Sequence, residues 1–206
     1  EALTGPGRDA RTRAGTYESA KGEGIVMTLR RAGLGLFVSA AFVSPALPLT
    51  VENIGIKQMT QEPHVIVKGT VLSCYSQWEG KNIFTYTTVR VNESLKGEAG
   101  SQIIVKQLGG RVSEMAQEIN GSPRLGNGEE VILFLTQWRG NYWIHSVVLG
   151  KFSVVQEGGD EVAFNDLNNI GLIDPRTKRE ITDPNKKANH FPLQRFMNDI
   201  RSYTDK

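Results

Sequence analysis

Residues 129–137 read EEVILFLTQ, and this stretch decides the fold. Its five apolar residues, 131–135, follow one another without a polar interruption. A strand with one face in water alternates polar and apolar residues, whereas a continuous apolar run is typical of a strand buried on both faces. The stretch therefore predicts a central strand with other strands on both sides.

Four further strand patterns, each bounded by turn residues, surround this one. HVIVKGTVLS (64–73) and IFTYTTVRVNESLKG (83–97) precede it, separated by the polar loop QWEGKN, and SQIIVKQL (101–108) ends at Gly109-Gly110. NYWIHSVVL (141–149) follows it through the turn WRGN. The sequence thus predicts five principal strands, of which residues 129–137 form the fourth.

Smaller elements complete the predicted chain. Ser113, followed by residues 114–118, predicts a short helix between the third and fourth strands, with the serine as its N-cap. KFSVVQ and EVAF, separated by EGGD, predict an extra hairpin, and residues 171–183 predict a smaller one around Asp174-Pro175. Beyond Pro192, apolar residues at helical spacing predict a C-terminal helix that docks on the barrel through Leu193, Phe196, Met197, Ile200 and Tyr203. This order of elements predicts a mainly β chain with a five-stranded OB-like barrel.

The stretch MTLRRAGLGLFVSAAFVSPALP, which starts at Met27, predicts export. Arg30 and Arg31 precede an apolar segment, 32–43, and Ser44-Pro45-Ala46 supplies the small residues of a cleavage site. The apolar core is too short for a bilayer, which needs about 20 residues; the alternative is a buried helix of the domain. We expect residues 1–26 to be a disordered upstream extension and residues 27–46 to be the signal peptide. Residues 47–206 would then form one periplasmic or extracellular domain with no transmembrane segment.

Composition argues against a nucleic-acid-binding protein and against a domain stabilised by internal disulfides. Six of the 24 basic and four of the 22 acidic side chains lie in residues 1–46, so the remaining 160 residues carry no net formal charge. Binding to nucleic acid needs a basic surface that such a neutral domain lacks. The single cysteine, Cys74, excludes an internal disulfide, and its position in a strand pattern favours a buried apolar role over a nucleophile.

No motif for catalysis, a metal or a cofactor is present in the sequence. His64, His145 and His190 do not stand in an H-x-H or H-E-x-x-H spacing, and no serine lies in a G-x-S-x-G context. We therefore predict no catalytic residue, no metal ligand and no cofactor.

The aromatic residues predict a binding surface. Trp78 and Lys81 lie in the loop between the first two strands, while Trp138, Arg139, Tyr142 and Trp143 lie at the turn between the fourth and fifth. In an OB barrel these two loops flank one ligand-binding face. Large aromatic side chains with a polar group are frequent anchors of recognition. The alternative is that some of these rings only close the end of the barrel.

Five motifs resemble a group of uncharacterised exported bacterial proteins over about residues 62–156: VKGTVLS, TYTTVRVNESLKG, QLGG, SPRLGNGEEVILFL and VVLGKFSVV. The barrel of that group is similar to netrin modules and tissue inhibitors of metalloproteinases, and some members accompany matrixin-type metalloproteases. The resemblance thus implies a barrel and makes an extracellular protease one candidate partner. Tissue inhibitors act through an amino-terminal cysteine, which the segment LPLTVEN at residue 47 lacks, so only the barrel shape is implied.

These observations favour an exported, non-enzymatic binding module that recognises a protein or an envelope component. A protease-associated factor or hydrolase with scattered active residues is the alternative. A structural envelope protein that uses its C-terminal helix and hairpin is a third.

Overall fold

A computed structural model of the chain describes residues 49–168, 170–182 and 190–204, which are mainly β. The predicted extension, signal peptide and cleavage site lie outside these residues. The helices are α1 (Ile56–Gln61) and α2 (Leu193–Thr204), with a 3-10 turn at Val147–Gly150. The strands are β1 (Leu49–Glu52), β2 (Val65–Glu79), β3 (Asn82–Lys96), β4 (Gln102–Leu108), β5 (Gly110–Val112), β6 (Met115–Gln117), β7 (Glu130–Trp138), β8 (Asn141–Ile144), β9 (Lys151–Glu157), β10 (Asp160–Phe164), β11 (Ile170–Ile173) and β12 (His190–Pro192).

Five of the strands form a closed ring in the order β2-β3-β4-β8-β7, and β7 returns to β2. Four of the five junctions are antiparallel ladders. The fifth is a single parallel pair that joins Val105 of β4 to Tyr142 of β8. The ring consists of the five principal strands that the sequence predicts.

The inside of the ring holds an apolar core. Strand residues point alternately in and out, and the inward positions are β-branched residues and leucines that fill the ring. Gly69 lies where β2 is bulged against β3, and a Cβ there would collide with the carbonyl of Arg90. The buried inner residues are Val65, Val67, Val71, Val89, Ile103, Val105, Val131, Leu133 and Leu135.

A second core lies outside the ring, against β2, β7 and β9. The hairpin β9–β10, which the sequence predicts, continues the sheet from β7, and β12 pairs with β10 at its edge. The predicted C-terminal helix is confirmed as α2, whose Leu193, Phe196, Met197 and Ile200 are buried in this core. Phe196 packs between Phe152 and Phe191, at ring-centroid distances of 4.7 and 5.0 Å.

The central position predicted for EEVILFLTQ is confirmed. β7 pairs with β2, β8 and β9. Its Val131, Leu133 and Leu135 enter the inner core, while Ile132 and Phe134 enter the outer one, and all five side chains are fully buried. The continuous apolar run is therefore explained by burial on both faces.

The short helix predicted at residues 113–118 is wrong. The segment is the hairpin β5–β6, with Arg111 opposite Ala116 and a tight turn at Ser113. Ser113 has a left-handed backbone, with φ 52°, so it cannot serve as an N-cap, which normally has an extended conformation. Gly109 and Gly110 also have positive φ and turn the chain back under β2 and β3, where Gln117 accepts a hydrogen bond from Ile83 N.

The predicted bounds of two strands also change. β2 continues through Gln77, Trp78 and Glu79, which the sequence places in a loop, and the turn to β3 is confined to Gly80 and Lys81. The fifth strand ends at Ile144 rather than residue 149, and the 3-10 turn follows it. Neither helix in the described part of the chain is long and apolar enough to cross a membrane.

Candidate functional site

Part of the outer surface of the ring is covered by other elements of the chain, and the opposite part is open. The helices and β9–β12 cover β2 and β7. The ends of β2 and β7, the first half of β3, β4 and β8 form the opposite side. There, among the described residues, Tyr75 and Trp138 are 53% and 55% exposed. We call the side chains along this open side the aromatic strip: Tyr75, Phe84, Tyr86, Lys106, Trp138 and Trp143.

The rings of the strip come from four strands and form two groups in contact. Tyr75 stacks on Tyr86, with centroids 5.3 Å apart and an angle of 13° between the ring planes. Trp143 contacts Phe84 edge to face at 6.3 Å, and Trp138 contacts Trp143 in the same manner at 6.0 Å. Such geometries are favourable for aromatic pairs. Lys106 of β4 lies against rings of both groups and joins them.

Lys106 lies at the centre of the strip. Its Nζ is 4.3 Å from the centroid of the Phe84 ring, 5.2 Å from that of Tyr86 and 5.7 Å from that of Trp143. The same ammonium is 2.6 Å from Oε2 of Glu79, whose other oxygen accepts a hydrogen bond from the Tyr86 hydroxyl. The flexible lysine side chain is thereby fixed against the rings.

The charges of this pair are mutually stabilised. Hydrogen bonds from Lys106 and then from Tyr86 hold the pKa of Glu79 below its ordinary value of 4.5. Desolvation acts to lower the pKa of Lys106, but hydrogen bonds to Glu79 and Tyr86 outweigh it and raise that pKa above 10.5. Both groups are therefore ionised at neutral pH, and the centre of the strip carries a neutralised ion pair.

One end of the strip carries a cation. Arg139, at the turn after β7, places its guanidinium 4.4 Å from the centroid of the Trp138 ring. It has no ion pair among the described residues. The indole Nε1 of Trp143 is buried and finds no acceptor among them either. The Arg139 guanidinium can bind an anionic group at this end.

The structure brings together three of the six residues that the sequence predicts for a binding surface. Trp138, Arg139 and Trp143 lie side by side in the strip. Tyr142 instead packs against the inner core of the ring. Trp78 pairs with Ile83 at inward-facing strand positions, although 47% of it is exposed at the end of the ring, and Lys81 lies in the adjoining turn.

Sequence reasoning missed Tyr75, Phe84, Tyr86 and Lys106 as members of the surface. The available signal was the alternation in IFTYTTVRV, which puts Phe84 and Tyr86 on one face of β3. Their position beside Trp143 depends on the pairing of β4 with β8, which joins residues far apart in the chain.

A cavity of about 600 Å³ lies beneath the segment 109–125, where the inner face of β3 and β4 becomes polar. Gln107 Nε2 donates to the carbonyl of Pro123 at 2.8 Å, and the Thr85 hydroxyl donates to that of Gly109 at 2.7 Å. The residues that line it include neither a histidine nor an aspartate. These contacts attach the segment to the ring.

One cluster of a serine, a lysine and a carboxylate occurs at β9. Ser153 Oγ is 2.6 Å from Oε1 of Glu129 and 2.7 Å from Nζ of Lys151, and Gly126 N donates to the other carboxylate oxygen. Burial acts to raise the pKa of Glu129, but the hydrogen bonds from Gly126, Lys151 and Ser153 outweigh it and lower that pKa. A general base works best with a pKa near the working pH. The geometry therefore fits a structural link between the start of β7 and β9 better than a nucleophilic serine.

The described residues contain no group of three or more His, Cys, Asp or Glu side chains that could hold a metal ion. His145 instead contacts the Thr136 hydroxyl at 3.2 Å and a carboxylate oxygen of Glu62 at 3.1 Å. Cys74 Sγ donates to the carbonyl of Leu125 at 3.3 Å, which gives it a place in the packing of the ring.

Comparison with known protein families finds none that matches the chain, and comparison with curated proteins finds no match either.

Proposed function

We propose that this chain is an exported, non-enzymatic binding module of the OB type, which recognises a protein or an envelope component through the aromatic strip. The observation that carries the proposal is the row of mutually packed aromatic side chains on the open side of the ring, with Tyr75 and Trp138 half exposed. Scattered exposed apolar residues are normal on a protein surface, but a contiguous group of them is typical of an interaction site.

The ring supports the OB part of this proposal. It has five strands, its first two are long and bent by bulges, and one junction has only a single pair. A partly open five-stranded barrel is the OB description, and such barrels bind ligands on the outer face of their second and third strands. In this chain those strands are β3 and β4, which carry Phe84, Tyr86 and Lys106.

The arrangement of the two cores supports the same surface. The outer side that α2 and β9–β12 cover is fully used in packing, so its aromatic residues stabilise the fold. The aromatic residues of the strip lie over no second core among the described residues. Their exposed area contributes little to folding and remains available to a partner.

The test compares three alanine variants of the 206-residue chain, using envelope material of its host as the source of partners. Trp138→Ala and Tyr75→Ala should weaken retention of the partner by about 2 kcal/mol or more each, because exposed anchor aromatics dominate binding energies. Their thermal midpoints should stay close to that of the unchanged protein. Trp78→Ala is the matched control, because it removes a ring of similar exposure outside the strip.

Two results would overturn the proposal. Equal retention by all three variants would show that the strip does not bind the partner. Covalent labelling of Ser153 by a fluorophosphonate, lost in Ser153→Ala, would instead show a reactive serine at the β9 cluster and favour a hydrolase.

A further inference from the structure

We infer that the ligand of the aromatic strip is a linear acidic polysaccharide, that is, a sugar chain with carboxylate or sulfate groups. The inference rests on the proposed binding function and names the chemical class of the partner. It is carried by the shape of the strip, by the separation of its rings from the cavities and by its charge.

Five of the six side chains of the strip form a row that runs across the strands, with one side chain from each, and Phe84 lies beside this row on β3. Tyr75 of β2 pairs with Tyr86 of β3, which pairs with Lys106 of β4. Trp143 of β8 lies beside Lys106, and Trp138 of β7 lies beside Trp143. Adjacent strands are about 4.8 Å apart, so four spacings give a row about 19 Å long. A row of this length fits an extended polymer that lies across the strands.

The surroundings of the row disfavour a peptide partner. A peptide in extended form binds a sheet by adding a strand to a free edge, and the junctions of this ring are ladders except β4–β8, whose single pair leaves strand edges unpaired. Anchor side chains of protein partners fill pockets, and the aromatic rings of the strip line neither the cavity under segment 109–125 nor the cavities beside β12 and beside β9. A sugar ring needs no pocket, because its C–H face packs flat on an exposed aromatic ring while its hydroxyls stay in water.

The charges of the row favour an acidic sugar chain over a neutral one. Its carboxylate, Glu79, is already bound by Lys106. Arg139, at one end of the row and over the Trp138 ring, has no ion pair among the described residues. Guanidinium groups bind carboxylate and sulfate oxygens in bidentate geometry. An unpaired guanidinium group beside an exposed ring therefore fits a polymer that offers sugar faces and anionic groups together.

The test measures binding of the whole chain, by titration calorimetry, to polygalacturonate, alginate and heparin, with dextran as the neutral polysaccharide and poly-glutamate as the acidic polypeptide. We expect binding to at least one acidic polysaccharide and none to dextran or poly-glutamate. Trp138→Ala should weaken that binding about thirtyfold. Arg139→Gln should weaken it and also reduce its dependence on salt concentration, because one fewer cation would contact the polymer. Trp78→Ala should leave it unchanged.

The outcomes separate this inference from the proposed function. Equal binding of dextran would overturn the requirement for acidic groups, and equal binding of poly-glutamate would show that charge alone is recognised. A further outcome is that the protein binds no polysaccharide while Trp138→Ala still loses the partner from the host envelope. In that case the inference of a polysaccharide ligand is wrong, and the proposed binding function is retained. If Trp138→Ala also keeps that partner, both are wrong.

Discussion

Glu129 shows how a single partly buried carboxylate stabilises this fold. It joins the turn at Gly126 to β9 by accepting hydrogen bonds from a backbone N–H, Lys151 and Ser153. Glu129→Gln removes the charge and leaves the Lys151 ammonium, whose side chain is 12% exposed, without its counter-ion. We expect a loss of about 1–3 kcal/mol in the free energy of unfolding at pH 7, measured in urea.

The pH dependence of this loss follows from the lowered pKa of Glu129. A carboxyl group with a lower pKa in the folded state stabilises the protein above its unfolded pKa, about 4.5, and the stabilisation is lost as the pH falls through the folded value. The difference between Glu129→Gln and the unchanged protein should therefore shrink below pH 4.5. Glu130→Gln is the control, because its partner Lys68 is 3.8 Å away and its side chain is 38% exposed; it should cost less than about 1 kcal/mol. A difference that does not change with pH would contradict the assignment.

Individual site residues were predictable only where the sequence placed them together. Trp138, Arg139 and Trp143 lie within six residues, so one turn was enough to assign them to one surface. Lys106 is ordinary in SQIIVKQL, and only tertiary pairing puts its ammonium between three rings. Trp78 was predicted in a loop beside them, whereas β2 continues through it and puts it at an inward-facing position.

At the scale of the elements, the docking of α2 depends on one aromatic residue. Phe196 is 1% exposed and contacts Phe134, Phe152 and Phe191. Phe196→Ala would leave a cavity among these rings, and we expect it to lower the free energy of unfolding by about 3–5 kcal/mol, measured by chemical denaturation. Arg195→Ala is the control on the same helix, because its side chain is 81% exposed, and it should change the value by about 0.5 kcal/mol or less. Equal effects of the two substitutions would contradict docking of α2 through this face.

The elements that were predicted correctly have a strong hydrophobic pattern, and the short helix that was predicted wrongly does not. The apolar run in EEVILFLTQ and the apolar stripe on α2 each indicate, in the sequence alone, which faces are buried. SEMAQE, at residues 113–118, has good helix formers but no apolar face for the ring to cover. Backbone geometry at Gly109, Gly110 and Ser113 and the hydrogen bond of Gln117 to β3 therefore decide its conformation.

For the whole molecule, the proposed export predicts where the mature chain begins. Because Ser44-Pro45-Ala46 has the small residues of a cleavage site, protein isolated from the periplasm or the medium of its host should start near Leu47. Intact-mass analysis measures this directly. A chain in the cytosol that still contains Arg30 and Leu36 would contradict export.

The five ring strands and the mainly β class of the fold were predictable, because strand patterns and turns are local features of the sequence. The second core was not predictable, because nothing in KFSVVQ or EVAF indicates which strand of the sheet they pair with. It required knowing that β9 pairs with β7, so that Phe152 and the residues of α2 meet on the outer side of the ring.

β2 and β7 are shared by the two cores, because each strand buries one face in the inner core and the other face in the outer core. Ile66 and Val67 are neighbours on β2, yet one belongs to the outer core and the other to the inner core, and both are fully buried. Removing the layer of α2 and β9–β12 would expose the back of the very strands that close the ring. We therefore expect the two cores to form and melt in a single cooperative step.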